Sequence, residues 1–299
     1  MKNILAMLTI VICFAFVATA AVAQDNQDTM ERIKAKKQID IGYRSSSIPL
    51  SFATDDSVPQ GYSIDISERV AKKIMVDTGL SDLKVVYHSI TAQDRIEMIQ
   101  NGTIDFECSA TTITPERQKL VSFSRPFYVT ALTYLYDETK IPEIESVADL
   151  RGKTVALIKG TTGEAFLKAK DHDEHLGIKF LIAEDNSGAL DLLERGQVAA
   201  IFQDDVQLAG LRGRSAMAGQ FIMPGKSEHY EPYGCAFSLG DKRFELLINT
   251  VLVEYAKSGA MNDSYKKWFV YPIESLGGIN LKLPMSKGTR EARDALVND

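Results

Sequence analysis

Met98-Ile-Gln-Asn-Gly-Thr-Ile-Asp-Phe-Glu-Cys-Ser-Ala110 lies over Leu192-Leu-Glu-Arg-Gly-Gln-Val-Ala-Ala-Ile-Phe-Gln-Asp204 without a gap. Each stretch reads as the end of a helix, a glycine that stops it, and an apolar strand. Lys37 to Ser45 lies over Lys153 to Thr161 in the same manner, strand into hydroxyl-rich turn. The repeated order predicts two related α/β lobes, each a mostly parallel sheet flanked by helices. Any two βα units share capped helices and apolar strands, so the position of the polar residues decides. Arg44, residues 110–117, Thr161, Thr162 and Asp204 all stand just past the carboxyl ends of expected strands, the edge where open α/β sheets bind ligands. Two such edges facing each other form a ligand cleft between the lobes.

Outward from these stretches, Ile39–Tyr43 is the first expected strand. Gly61 opens an amphipathic helix to about Met75, with Ile64, Ile66, Val70, Ile74 and Met75 largely on one face. Leu83–Tyr87 is a strand, and Gln93–Gln100 a helix carrying Arg95. Val129–Tyr136 is β-like and long enough to cross between lobes, after which the order repeats: strand Lys153–Ile158, helix after Lys159–Glu164, strand Phe180–Ile182, helix Ser187–Arg195. Gly234–Leu239 and the amphipathic stretch Asp241–Lys257 follow, and they return to the first lobe if Cys235 pairs with Cys108. The expected division is a signal segment at 1–23, lobe one at 24–132, lobe two at 133–229, and a return to lobe one with a tail at 230–299.

With 299 residues, 45% hydrophobic and 25% charged, the chain has the material for one large or two medium domains. A formal net charge of −6 argues against nucleic acid or an anionic membrane as partner, so any anion is bound locally. Lys2, the apolar run Ile4–Val17 and Ala21-Val-Ala23 before Gln24 form a cleavable secretory signal, which predicts a soluble exported protein. Its removal takes Cys13 away and leaves Cys108 and Cys235, an even number suited to a disulfide in an oxidising compartment. His88, His172, His175 and His229 are too scattered for a metal site. No cofactor is expected.

The chemistry concentrates in Ser109-Ala-Thr-Thr-Ile-Thr-Pro-Glu-Arg117. Thr114 is placed as an N-cap and Pro115 at the start of a helix, so backbone N–H groups, hydroxyls and one guanidinium gather in a turn. That set suits a carboxylate, which a guanidinium binds bidentately. Asp204 precedes Asp205, and either one is the helix cap or a ligand group. Arg44 and Arg95 are either anion ligands or surface ion pairs, whereas Asp65 and Asp105 read as structural. Glu107 and Glu164 are the carboxylates open to acid–base work, yet neither has a histidine partner, and no catalytic motif of the hydrolase, phosphate-loop or zinc-protease kind occurs. Binding is expected, not catalysis.

Together, Gly61-Tyr-Ser-Ile-Asp65, Gly102-Thr-Ile-Asp105, Thr112-Ile-Thr-Pro-Glu-Arg117, Phe123-Ser-Arg-Pro-Phe-Tyr128, Leu150-Arg-Gly-Lys-Thr-Val155, Lys159-Gly-Thr-Thr162 and Lys267-Trp-Phe269 resemble the periplasmic solute-binding proteins of polar amino-acid ABC transporters. Within them the chain is most similar to the glutamate/aspartate-binding branch, through Tyr43-Arg-Ser-Ser46, Gln93-Asp-Arg95, Gln100–Cys108 and Tyr233-Gly-Cys235. The resemblance implies a two-lobed (type II) binding protein, a monomer that closes on one amino acid and hands it to a membrane permease or presents it to a receptor. It implies Arg117, Thr112, Thr161 and Thr162 on the α-carboxylate, Asp204 on the α-ammonium, and Arg44 and Arg95 on a side-chain carboxylate. It also marks departures: hydroxyl positions of the branch are Ala92 and Ala110 here, and a histidine position is Asn186. Those three leave the choice between aspartate, glutamate and another polar amino acid open.

Overall fold

The computed structural model describes residues 28–54, 58–141 and 143–298; the expected signal segment, with Cys13, lies outside them. In the first lobe, strand Gln38–Tyr43 lies between Lys84–Ser89 and Phe106–Glu107, all three parallel. Ala236–Phe237 then adds antiparallel to Phe106–Glu107, and Ser122–Phe123 closes the sheet. The second lobe repeats the plan with Lys179–Ala183, Thr154–Ile158 and Ala200–Asp204 parallel, followed by antiparallel Tyr128–Asp137 and then Phe221–Ile222. In both sheets the fourth, antiparallel strand is supplied by chain that has just come from the other lobe.

The aligned stretches therefore occupy equivalent places, Phe106–Glu107 and Ala200–Asp204 each third in its sheet. Gly102 and Gly196, which face each other in the alignment, both take the left-handed conformation at φ 74° and 67°, where a Cβ is unfavourable. The neighbouring registers differ. Ile41 pairs with Phe106, but Ala200 pairs with Val155 and not with Leu157, the residue lying over Ile41. A slip of two residues keeps every side chain on its face.

The second sheet is covered on both faces: Val155, Leu157 and Phe202 pack into one core, and Ala156, Ile158 and Ile201 into another. That is why Thr154–Ile158 reads as an unbroken apolar run. Helices Tyr62–Thr78 and Lys242–Lys257 pack against each other beside the first sheet, burying Ile66, Val70, Phe244 and Ile248. Asp241 caps the latter by accepting from Phe244 N at 2.9 Å. Asp65 accepts from Trp268 Nε1 at 2.8 Å and Asp105 pairs with Arg32 at 3.0 Å, so both serve the framework.

The lobes are joined by two strands bonded side by side, Tyr128–Asp137 outgoing and His229–Tyr233 returning, from Tyr128↔Tyr233 to Leu132↔His229. Just past this hinge, Cys108 and Cys235 form the disulfide, spanning 127 positions in sequence. It ties the exit of strand Phe106–Glu107 to the entry of Ala236–Phe237, so the last section does return to the first lobe.

One expectation needs correction and one region gains an element. The helix at Pro115 is a single 3-10 turn, Arg117–Lys119. Thr114 Oγ1 does accept from Arg117 N at 3.2 Å, but the chain must enter strand Ser122–Phe123 almost at once, and three residues carry no useful helix dipole. The tail, for which the sequence assigned no element, forms helix Lys287–Val297. Thr289 Oγ1 accepts from Val129 N and donates to Val129 O, both at 3.1 Å, fastening this helix to the outgoing hinge strand.

Candidate functional site

The carboxyl edges of the two sheets meet around a nearly closed cavity of about 10 Å³. Arg44, Arg95, Ala110 and Thr112 line it from the first lobe; Thr161, Thr162, Gln203, Asp204 and Gln207 line it from the second. Seven of the nine residues expected at the site are in this wall, while Arg117 and Asn186 stand beside it.

Arg44 directly follows strand Gln38–Tyr43, and Ser51 holds its backbone by accepting from Arg44 N and donating to Arg44 O, both at 2.9 Å. Its side chain is 3% exposed and its Nη2 has no protein partner. Burial, with the repulsion of Arg95, brings its pKa down to about 10, against the pull of Glu107. Arg95, 2% exposed, donates from Nη1 to Ala110 O at 2.9 Å and leaves Nε unpartnered. Burial also lowers its pKa, opposed by Glu107. These are buried cations, not surface ion pairs.

Asp204 ends strand Ala200–Asp204, and its neighbour takes the structural work. Asp205 Oδ1 accepts from Thr130 Oγ1 at 2.6 Å and from Val206 N at 2.6 Å, tying the helix start to the outgoing hinge strand. Asp204 makes no capping bond, and its buried Oδ1 has no partner. Burial first, then the nearby Glu231 carboxylate, raises its pKa to about 8, with Tyr233 and then Arg117 acting in the opposite sense. A cationic group placed beside it would return it to the charged form.

Arg117 spans the lobes through two carbonyls, donating from Nη1 to Thr112 O at 3.0 Å and from Nη2 to Gly160 O at 3.2 Å. Burial and Arg95 bring its pKa down to about 9. The approach is close at Gly160, where a Cβ would fall 2.7 Å from Gln93 Cα and 3.0 Å from Ala92 C. Ala92 therefore packs at the lobe contact. Asn186 reaches across as well, donating from Nδ2 to Ser46 O at 3.1 Å and to Gln207 Oε1 at 2.7 Å.

Gln203, Gln207 and Glu231 escaped the reading of the sequence. Gln207 follows Asp204 by three positions, a spacing that puts residues on one helical face, and this signal was available. Glu231 lies on the returning hinge strand and accepts from the hydroxyls of Thr112 and Thr162, each at 2.6 Å. Nothing in His229-Tyr-Glu-Pro-Tyr233 marks it. Glu107 Oε2 accepts from Ser109 N at 2.7 Å while its buried Oε1 has no protein partner, and Glu164 accepts from Gly160 N at 2.8 Å and Lys168 at 2.7 Å. Among the described residues no cluster of three or more His, Cys, Asp or Glu is arranged for a metal.

Comparison with known proteins agrees with this architecture. The chain is 34% identical to the L-glutamate/L-aspartate-binding protein of Pseudomonas aeruginosa over 94% of its own length and 92% of that protein. It is 32% identical to the glutamate/aspartate import solute-binding protein of Escherichia coli, covering 89% of this chain and 88% of the other. A crystal structure of a mutant of ArgBP from T. maritima superposes with a TM-score of 0.71 at 26% identity, covering 80% of this chain and 98% of that one. Residues 39–271 match the family profile described as bacterial extracellular solute-binding proteins, family 3, and the chain belongs to that family.

Proposed function

We propose that this protein captures an acidic amino acid, glutamate or aspartate, in the periplasm after cleavage of its signal segment and delivers it to the permease of an ABC importer, without chemical change. The carrying observation is the charge of the cavity wall: two buried arginines, Arg44 and Arg95, against one buried carboxylate, Asp204, each with an unpartnered polar atom. An amino acid with a carboxylate side chain supplies an acceptor of opposite charge to the unpartnered N–H groups of Arg44 and Arg95. A neutral or basic side chain leaves those buried donors without a charged partner, at a cost of about 1–3 kcal/mol each.

In this reading Asp204 takes the α-ammonium, while Thr112, Thr161, Thr162 and Arg117 serve the α-carboxylate, the hydroxyl protons of Thr112 and Thr162 turning to it from Glu231. Arg44 and Arg95 take the side-chain carboxylate. The names of the Pseudomonas and Escherichia relatives support the same ligand class. Glu164 is held by Gly160 N and Lys168, and Glu107 is fixed by Ser109 with no histidine beside it, which supports binding without catalysis. The test is calorimetric titration of the ligand-stripped protein with all common amino acids. Arg44→Ala should weaken glutamate or aspartate by about 10- to 100-fold, the worth of a charged hydrogen bond, and leave glutamine and asparagine nearly unmoved. Absence of any amino-acid binding by the unaltered protein would sink the proposal.

A further inference from the structure

We infer that Gln207 makes the cavity discriminate a carboxylate from a carboxamide, by presenting its amide N–H groups, and not its oxygen, to the ligand's side chain. This rests on the reading above, that the ligand is an acidic amino acid, and adds a residue and a mechanism to it.

A chain of hydrogen bonds anchored in the backbone fixes the amide's direction. Ser46 O can only accept, so the Asn186 atom 3.1 Å from it must be the nitrogen, Nδ2. That same nitrogen lies 2.7 Å from Gln207, and a donor can meet only the Gln207 oxygen, Oε1. Gln207 is thereby left with Nε2 for the cavity. Gln207 is 2% exposed, lines the cavity, and its Nε2 is buried without a protein partner. The assignment comes from the network and from no assumption about the ligand.

The remaining wall is short of acceptors. Ala110 O is taken by Arg95 at 2.9 Å, and Gln203 Oε1 by Asp204 N at 3.0 Å. Asp204 faces the α-ammonium, and the unpartnered Asn186 Oδ1 belongs to a residue outside the cavity wall. Of the wall's buried atoms without a protein partner, Arg44 Nη2, Arg95 Nε and Gln207 Nε2 donate, and Asp204 Oδ1, turned to the ammonium, accepts. A carboxylate accepts through both oxygens. A carboxamide turns its NH2 toward one of these donors, leaving two buried donors in contact, the kind of mismatch that gives large discrimination. Because Ser46 is in the first lobe while Asn186 and Gln207 are in the second, this polarity is set when the lobes meet.

The experiment measures affinities for glutamate, aspartate, glutamine and asparagine by calorimetry on full-length mature protein, with thermal unfolding to confirm that each variant folds. Gln207→Met keeps the volume and removes the donor: acidic ligands should weaken by about 10- to 100-fold, and the two amides should stay within about threefold. Asn186→Leu leaves Gln207 in place but frees its amide to turn. It weakens closure for every ligand alike, so the expected result is a fall of at least about tenfold in the ratio of acidic to amide affinity. An unchanged ratio in either folded variant overturns the role of Gln207 while leaving the acidic-ligand reading intact. An unaltered protein that binds amino acids but neither acidic one overturns both.

Discussion

The two lobes are built on one plan and bring opposite chemistry to the cavity. The first contributes Arg44 and Arg95 and no carboxylate; the second contributes Asp204 and no cation. The contrast is sharpest where the aligned stretches end, at Ala110 in one lobe and Asp204 in the other. Strand order fixes where a residue stands relative to the cleft, and the residue then chosen there is free to differ. Dividing the charges in this way means that each end of a bound amino acid is recognised from a different lobe, which couples closure to ligand. Structural reinforcement is divided too, because among the described residues the disulfide lies in the first lobe alone.

The largest effect should come from Asp204→Asn, which removes the second lobe's charge while keeping its shape. Loss of one partner from a buried ion pair costs about 3–5 kcal/mol, so affinity for every amino acid should fall by at least about 100-fold in calorimetric titration. A loss confined to acidic ligands would mean that Asp204 does not face the shared α-ammonium. Replacing both Cys108 and Cys235 by alanine should lower the unfolding free energy by about 2–5 kcal/mol, read by urea denaturation with probes in each lobe. If both lobes lose stability equally, the reinforcement is not local to the first.

The smallest effect is on pH. Asp204 holds its proton up to about pH 8, well above its unfolded value, so the folded state binds more protons than the unfolded one between about pH 4 and 8, and this group's contribution to stability declines as pH rises through that window. Ligand affinity runs the other way, because the ammonium needs the carboxylate charged. Affinity should rise by up to about tenfold per pH unit below pH 8 and then level. Binding below pH 8 should release a proton, detectable as a dependence of the binding heat on the buffer's ionisation enthalpy. A flat profile with no proton release would show that Asp204 is already charged.

Most of the wall was legible because it hangs on strand ends. A strand's periodicity gives its exit, and Arg44, Ala110, Thr112 and Asp204 follow from the exits. Gln207 was missed though its helical spacing from Asp204 was there to read. Glu231 owes its place to the pairing of two hinge strands far apart in sequence, which no local pattern announces. The misread helix at Pro115 has the same origin: Thr114 and Pro115 are sound local signals, but pairing of Ser122–Phe123 with Ala236–Phe237 pulls the chain straight before a second turn can form. The final helix, Lys287–Val297, buries only Thr289 and Leu296, too few anchors to show a period.

The exchange of fourth strands also sets an order of completion. A chain delivered from its N-terminus has every strand of the second sheet once Tyr233 has emerged. The first sheet, started earlier, still waits for Ala236–Phe237, and Cys108 waits for a partner 127 positions downstream. Until then Phe106–Glu107 stands as an open edge, the kind of strand that pairs with strangers. The lobe that begins first is finished last, and only its completion brings the arginines and the aspartate into one cleft.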